Sequence, residues 1–223
     1  DGYDLCGTAA QNFCPAILQD HLADVKSLGF DGVRFNGPEL KVKSSGVLCV
    51  KLLRIHEHSQ GKTYKTEHLV PLSIVKQEFI AEIKHLIDVC AMNGLKVNLF
   101  SGVDNTYHHG LTRLEYIAYL EELADELKLY DNLIAYTVAL EPDLHFWDND
   151  PQRDLQAIEK SALCSYYDDL YSAVKAKDPN HLITIGFSEM TTVLNYDPAV
   201  LKADFFTLHP YSSDRISIGE KLL

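Results

Sequence analysis

The feature that most constrains the fold is a helix–glycine–strand unit that recurs along the chain. In its first copy, Pro15 stands at a favourable first-turn position and apolar residues recur at helical spacing from Ile17 to Leu28. Gly29 follows, and the apolar run FDGVRF covers residues 30–35. Glycine just past a helix is a common C-terminal cap. The pattern therefore predicts a helix that leads directly into a strand.

The unit returns once more with Gly94, and helices continue to alternate with strands after it, which indicates an α/β fold with parallel strands. Predicted helices cover 74–93, 112–130 and 152–177, and predicted strands cover 95–100, 132–140, 181–187 and 204–211. Thr112 and Glu115 have the spacing of a capping box. We also predict a first strand at 3–9, a helical turn near 196–202 and a last helix from 213. The strands are nearly continuous apolar runs, as in parallel sheets covered on both faces.

One segment interrupts the alternation. Residues 47–58 and 62–71 are β-rich and flank the turn sequence SQGK, so they predict a hairpin over 47–71 inserted after the second strand. Its many His, Lys and Glu residues suggest exposure. A strand-to-helix connection lies at the end where α/β barrels place their active sites. The hairpin therefore either borders a substrate cleft or is a decorative insertion.

Composition excludes several classes of partner. The 223 residues carry a net charge of −12, which argues against nucleic acid and anionic membranes as partners. No stretch reaches the roughly 20 apolar residues of a membrane span, and no signal peptide opens the sequence. The five cysteines are scattered and odd in number, which argues against a disulfide framework and a zinc site. We expect most of them to be small buried residues.

Polar residues at the ends of predicted strands are the candidates for chemistry. Glu141 ends one strand and is followed by Pro142; the alternative is an exposed glutamate that opens a loop. His209 and Tyr211 follow the last strand, where they either bind a ligand or merely cap the strand. Arg34 ends the second strand, and we expect it to be buried against a carboxylate, either catalytic or structural.

Three further positions are weaker candidates. Glu189 ends another strand, where it either binds substrate hydroxyls or caps the strand. Trp147 either stacks on a sugar ring or anchors a loop. His108 and His109 are adjacent, so their side chains point in different directions and no metal site is predicted there.

Four stretches together resemble a known family. In order and spacing they are similar to clan A glycoside hydrolases, and to family 5, of the cellulase and mannanase type, in particular. The stretches are HLADVKSLGFDGVRF, LIAYTVALEPD, DPNHLITIGFSE and ADFFTLHPYS. The resemblance implies a single (β/α)8 TIM barrel over 1–223, truncated after six strands, that acts on a carbohydrate and needs no cofactor. Polysaccharide breakdown weakly favours a secreted or periplasmic location.

The resemblance also implies a retaining mechanism with two carboxylates. Glu141 is then the general acid/base, and the family's nucleophile is a glutamate on a seventh strand that this chain does not contain. Arg34 orients that nucleophile, while His209 and Tyr211 position it and the substrate.

One residue departs from the family's pattern and keeps alternatives open. Leu140 stands where the family has an asparagine that contacts the sugar 2-hydroxyl. This departure favours a non-catalytic carbohydrate-binding barrel as the alternative. A metal-dependent barrel of the sugar isomerase type, with Glu141, Glu189 and His209 as ligands, is a second alternative.

Overall fold

The computed structural model describes residues 15–38, 40–57, 63–101, 110–141, 156–187 and 201–209. Within these ranges the helix–strand alternation is confirmed, with boundaries within four residues of the predicted ones. The elements in chain order are α1 (Pro15–Ser27), β1 (Gly32–Asn36), β2 (Leu40–Val42), β3 (Leu48–Glu57), β4 (Thr63–Pro71), α2 (Leu72–Met92), β5 (Lys96–Phe100), α3 (Gly110–Leu127), β6 (Leu133–Leu140), α4 (Gln156–Lys177), β7 (Leu182–Phe187) and β8 (Phe205–Leu208).

The main sheet is parallel and has the strand order β1-β5-β6-β7-β8. Its central strands are buried on both faces, as their apolar runs predict: the consecutive residues Ile183, Thr184 and Ile185 of β7, whose side chains alternate between the faces, are all inaccessible to solvent. The pairing shifts register between Val97 and Asn98, and again between Thr137 and Ala139. Because all five strands are parallel, their C-terminal ends lie along one edge of the sheet.

Helices α2, α3 and α4 contribute an apolar stripe each to the core that covers this sheet. Their buried residues recur three or four positions apart, which places them on one side of each helix. They are Phe79, Ile80, Ile83, Leu86 and Ile87 in α2, Tyr116, Tyr119, Leu120 and Leu123 in α3, and Tyr166, Tyr167, Leu170 and Val174 in α4. The apolar face that each periodic pattern predicts is therefore the face that packs against the sheet.

The predicted glycine stops are confirmed. Gly29 and Gly94 both have positive φ, 89° and 64°, where a side chain is disfavoured. Each lies two residues after the last residue of a helix and precedes a strand of the main sheet. The chain can therefore reverse between helix and strand in very few residues.

The predicted hairpin is confirmed, and it belongs to a three-stranded antiparallel sheet of order β2-β3-β4. The strand β2 was not predicted from the sequence, because three residues are too few for a periodic signal. Leu40, Leu48 and Val50 are almost fully buried within the main core. The expectation of exposure is thus wrong at the base of the hairpin, where apolar residues anchor it to the body of the protein.

The predicted capping box at Thr112 and Glu115 is wrong. Helix α3 already includes Gly110, so Thr112 lies inside the first turn of the helix and does not cap it. The Thr112 hydroxyl instead donates to the carbonyl oxygen of Gly46 at 2.9 Å. This bond ties the turn between β2 and β3 to the start of α3.

Some predicted elements lie outside the described residues: the strand at 3–9, residues 196–200 of the helical turn, and the helix from 213. Among the helices that the structure does describe, none is long and apolar enough to cross a membrane.

Candidate active site

Three of the predicted site residues meet at the C-terminal edge of the parallel sheet. Glu141 directly follows β6, His209 directly follows β8, and Arg34 lies in β1. The ring nitrogen Nδ1 of His209 is 2.9 Å from Oε1 of Glu141. On the other side of the ring, Nε2 is 2.7 Å from Nη1 of Arg34. The three side chains therefore form a continuous hydrogen-bonded row.

This row shows that the sheet is strongly curved. Strands β1 and β8 are the first and last of five strands, so in a flat sheet they would lie roughly 19 Å apart at about 4.8 Å per interval. An extended arginine and a histidine cannot bridge that distance together. The contact between Arg34 and His209 therefore requires the sheet to curl until its two edge strands face each other.

The partners of His209 define which nitrogen carries the hydrogen. A guanidinium group has only donors, so Nε2 must accept from Arg34. The ring hydrogen then lies on Nδ1 and is donated to the Glu141 carboxyl group. Both nitrogens are engaged, so the ring cannot also bind a ligand hydroxyl unless it gives up one of these bonds.

The backbone around the row is held by β7. The N–H of Glu141 donates to the carbonyl oxygen of Gly186 at 2.6 Å, and the N–H of His209 donates to that of Phe187 at 2.8 Å. Glu141 has a φ of 49°, the one positive value among the described non-glycine residues. Such a conformation costs about 1–3 kcal/mol and is typical of functional sites. The bonds to Gly186 and His209 stabilise it.

Burial differs among the three residues, and it corrects one expectation. The side chains of Glu141 and His209 are 12% and 13% exposed, whereas Arg34 is exposed. The expected burial of Arg34 is therefore wrong, and the partner that the described residues give it is an imidazole. Arg34 lies in an edge strand, where its guanidinium group stays in contact with water and binds a neutral ring nitrogen.

A second polar layer lies beside the row, between β5 and β6. The hydroxyl of Thr137 donates to Oδ1 of Asn98 at 2.9 Å, and the Ser101 N–H donates to the Thr137 carbonyl at 3.1 Å. Tyr119 of α3 donates its hydroxyl to the carbonyl of Ser101 at 3.2 Å. These bonds hold the end of β5 rigidly next to the end of β6, where Glu141 begins.

Sequence reasoning missed Gly186 as a residue of this site. A Cβ atom at this position would lie 2.6 Å from Cε1 of His209, closer than real contacts allow, and 3.0 Å from Nε2. The signal was present in the sequence, because a glycine inside an apolar strand often marks the close approach of another group. The left-handed conformation of Glu141 had no comparable signal.

The structure does not describe the other predicted site positions. Tyr211, Glu189, Trp147 and the pair His108 and His109 lie outside the described residues. The described chain contains no group of three or more His, Cys, Asp or Glu side chains that could hold a metal ion.

The prediction of small buried cysteines is confirmed for three of the five. Cys49, Cys90 and Cys164 are buried. Cys6 and Cys14 lie outside the described residues.

This chain resembles known proteins in structure and not detectably in sequence. No protein-family model matches the chain, and no curated protein matches its sequence. The β-1,4-D-mannanase of Cryptopygus antarcticus matches with a TM-score of 0.62 and 16% identity, over 95% of this chain and 65% of its own. The endo-1,4-β-mannanase of Eisenia fetida matches with a TM-score of 0.59 and 14% identity, over 96% of this chain and 66% of its own.

A third protein extends the comparison to another sugar. The β-glucuronidase 2 of Bacteroides uniformis matches with a TM-score of 0.64 and 9% identity, over 94% of this chain and 20% of its own. The chain shares the fold of these TIM-barrel proteins. It spans about two thirds of the length of the two mannanases. Because proteins named for different sugars share this fold, the fold alone does not decide a substrate.

Proposed function

We propose that this chain is part of a retaining glycoside hydrolase that cleaves β-glycosidic bonds in a polysaccharide or oligosaccharide. The observation that carries the proposal is the row from Arg34 through His209 to Glu141. It places a carboxyl group, held by hydrogen bonds and largely buried, at the edge of the sheet where TIM barrels place their active sites.

Glu141 is the general acid/base in this proposal. Its Oε2 atom protonates the leaving glycosidic oxygen in the first step and takes a proton from water in the second. Meanwhile Nδ1–H of His209 donates to Oε1. A neutral carboxyl group and a carboxylate both accept such a bond, so His209 holds Glu141 in place through both steps.

The nucleophile is a second carboxylate, which we assign to a glutamate on a further strand of the barrel. In enzymes that retain the anomeric configuration, this carboxylate lies about 5–5.5 Å from the acid/base carboxyl group. Arg34 is exposed at the same edge, so its guanidinium group can hold that carboxylate ionised while it keeps its bond to His209. Tyr211, Glu189 and Trp147 remain proposed substrate contacts.

One observation favours a second candidate function, a carbohydrate-binding barrel without hydrolysis. Leu140 precedes Glu141 and has no polar atom in its side chain to hydrogen-bond a sugar hydroxyl. An enzyme of this type loses part of its transition-state stabilisation if that hydrogen bond is missing. Binding can persist, because it depends on many other contacts.

A hydrolysis screen tests the proposal. The complete gene product and its Glu141→Gln variant are incubated with soluble mannan, glucan and xylan, and reducing ends are measured. We expect hydrolysis of one polymer by the wild type and a loss of about 10²–10⁴-fold in the variant. Binding of a polymer by both proteins without hydrolysis supports the second candidate. Absence of both binding and hydrolysis contradicts both proposals.

A further inference from the structure

Gly186 occupies the centre of the candidate site without contributing a side chain. It lies in β7 and pairs with Leu140 of β6 on one side and Thr207 of β8 on the other. Glu141 follows Leu140 directly, and His209 follows Thr207 by two residues. Gly186 is therefore the backbone position between the two residues that meet at 2.9 Å.

The backbone of Gly186 holds one of those residues, and the space above its Cα atom holds the other. Its carbonyl oxygen accepts the N–H of Glu141 at 2.6 Å. The ring of His209 lies where a Cβ atom would be, with Cε1 at 2.6 Å and Nε2 at 3.0 Å from that point. An added methyl group therefore overlaps the edge of the ring that faces Arg34.

Rotation of the His209 side chain is the change that relieves this overlap most easily. The sheet around Gly186 is buried and paired on both sides, so the backbone cannot shift without the loss of ladder bonds. The His209 side chain can rotate away, but rotation breaks its bonds to Arg34 and Glu141. Gly186 is not among the glycines with positive φ, so alanine is compatible with its backbone conformation. A side chain at position 186 is therefore expected to displace the His209 ring and to leave the backbone in place.

We propose that Gly186 is a positioning residue of the active site, and that its missing side chain makes room for the His209 ring between Arg34 and Glu141. The inference rests on the proposed function, because it assigns a role within the same site. It predicts that Gly186→Ala leaves the fold intact and displaces His209.

Kinetics of the complete gene product give the first test. Loss of the hydrogen bond to Glu141 lowers kcat about 10- to 100-fold in Gly186→Ala, while KM changes less than about twofold. The matched control is Gly32→Ala in β1, where the added Cβ atom meets the backbone oxygen of Lys96 at 3.1 Å and no site residue. We expect its kcat to be unchanged. An unchanged kcat in Gly186→Ala overturns the inference.

A double-mutant cycle separates positioning from a general structural effect. In a His209→Ala background the ring is gone, and the nearest remaining atom to an added Cβ is Oγ1 of Thr207 at 3.2 Å. Gly186→Ala should then change kcat by less than about twofold, so the two substitutions are strongly non-additive. An equal loss in both backgrounds means that Gly186 acts independently of His209 and overturns the inference.

A spectroscopic measurement remains informative even if no substrate is hydrolysed. Nitrogen-15 NMR of the histidine rings should show His209 with its hydrogen on Nδ1 in the parent protein and without that preference in Gly186→Ala. This result in an inactive protein supports the role of Gly186 and contradicts only the proposed function. An unchanged His209 spectrum in Gly186→Ala contradicts the role of Gly186 whatever the activity.

Discussion

Asp178 anchors the end of the sheet opposite the candidate site, and its removal should destabilise the fold strongly. The carboxylate is fully buried. Its Oδ2 atom accepts the Tyr136 hydroxyl at 2.8 Å and Nδ1 of His181 at 2.5 Å, and Oδ1 accepts the N–H groups of Asn180 and His181 at 3.2 Å. The other ring nitrogen of His181 donates to the Tyr130 carbonyl at 3.1 Å. One aspartate thus joins the end of α4 to β6 and β7.

The magnitude follows from these contacts. Asp178→Ala leaves donors on Tyr136 and His181 without their acceptor, and each buried donor left unsatisfied costs about 1–3 kcal/mol, so we expect a loss of at least about 2 kcal/mol. Tyr136→Phe removes a single hydrogen bond to a charged group and should cost about 1.5–3 kcal/mol. The double variant should cost less than the sum of the two, because both substitutions break the same bond.

Urea unfolding followed by circular dichroism measures these free energies, provided that the dependence on urea stays the same among the variants. The matched control is Asp131→Ala, since Asp131 is exposed in the turn before β6 and its bonded backbone carbonyl is kept. We expect a change within about 0.5 kcal/mol there. A loss below about 1 kcal/mol for Asp178→Ala would refute the view that this aspartate holds the elements together.

The remaining predictions concern other buried ionisable groups. Burial, and then the nearby Glu78 carboxylate, raises the pKa of Glu82 in α2 to about 7. The folded state thus holds a proton that the unfolded state releases from about pH 4.5, so this group lowers stability as the pH rises toward 7. Glu82→Gln should therefore add about 1 kcal/mol at pH 8, after a discount for partial exposure, and almost nothing at about pH 4, below the unfolded pKa; an equal gain at both pH values contradicts this. Cys49, Cys90 and Cys164 are buried, and burial raises the pKa of Cys90 to about 12. Iodoacetamide at pH 8 should therefore label all three in urea but not in the folded protein, as peptide mass spectrometry can check.

The helices and parallel strands could be predicted because local physics defines them. The spacing of apolar residues in the sequence predicts which face of each helix is buried. Gly29 and Gly94 mark chain reversals with positive φ, which only glycine adopts easily. Glu141 and His209 could be placed at one edge because parallel strands end on the same side of a sheet. Their contact then follows from the curvature of the sheet.

Other features depend on contacts that local sequence does not encode. The partner of Arg34 is a residue 175 positions away, and whether it is a carboxylate or an imidazole depends on how far the sheet curls. Thr112 has the spacing of a cap but contacts Gly46 instead, because the small antiparallel sheet packs against the start of α3. Strand β2 is too short to show a period, and only its pairing with β3 defines it.

The most direct test of Glu141 as the proton donor compares two leaving groups. We would measure kcat/KM of wild type and Glu141→Gln on an oligosaccharide and on the dinitrophenyl glycoside of the same sugar, with Glu126→Gln on the outer helix α3 as the control. A sugar leaving group needs a proton, whereas dinitrophenolate leaves without one. We predict a loss of about 10²–10⁴-fold on the oligosaccharide and less than about tenfold on the activated glycoside. Equal losses on both substrates, or no loss on either, would contradict the assignment of Glu141 as the general acid.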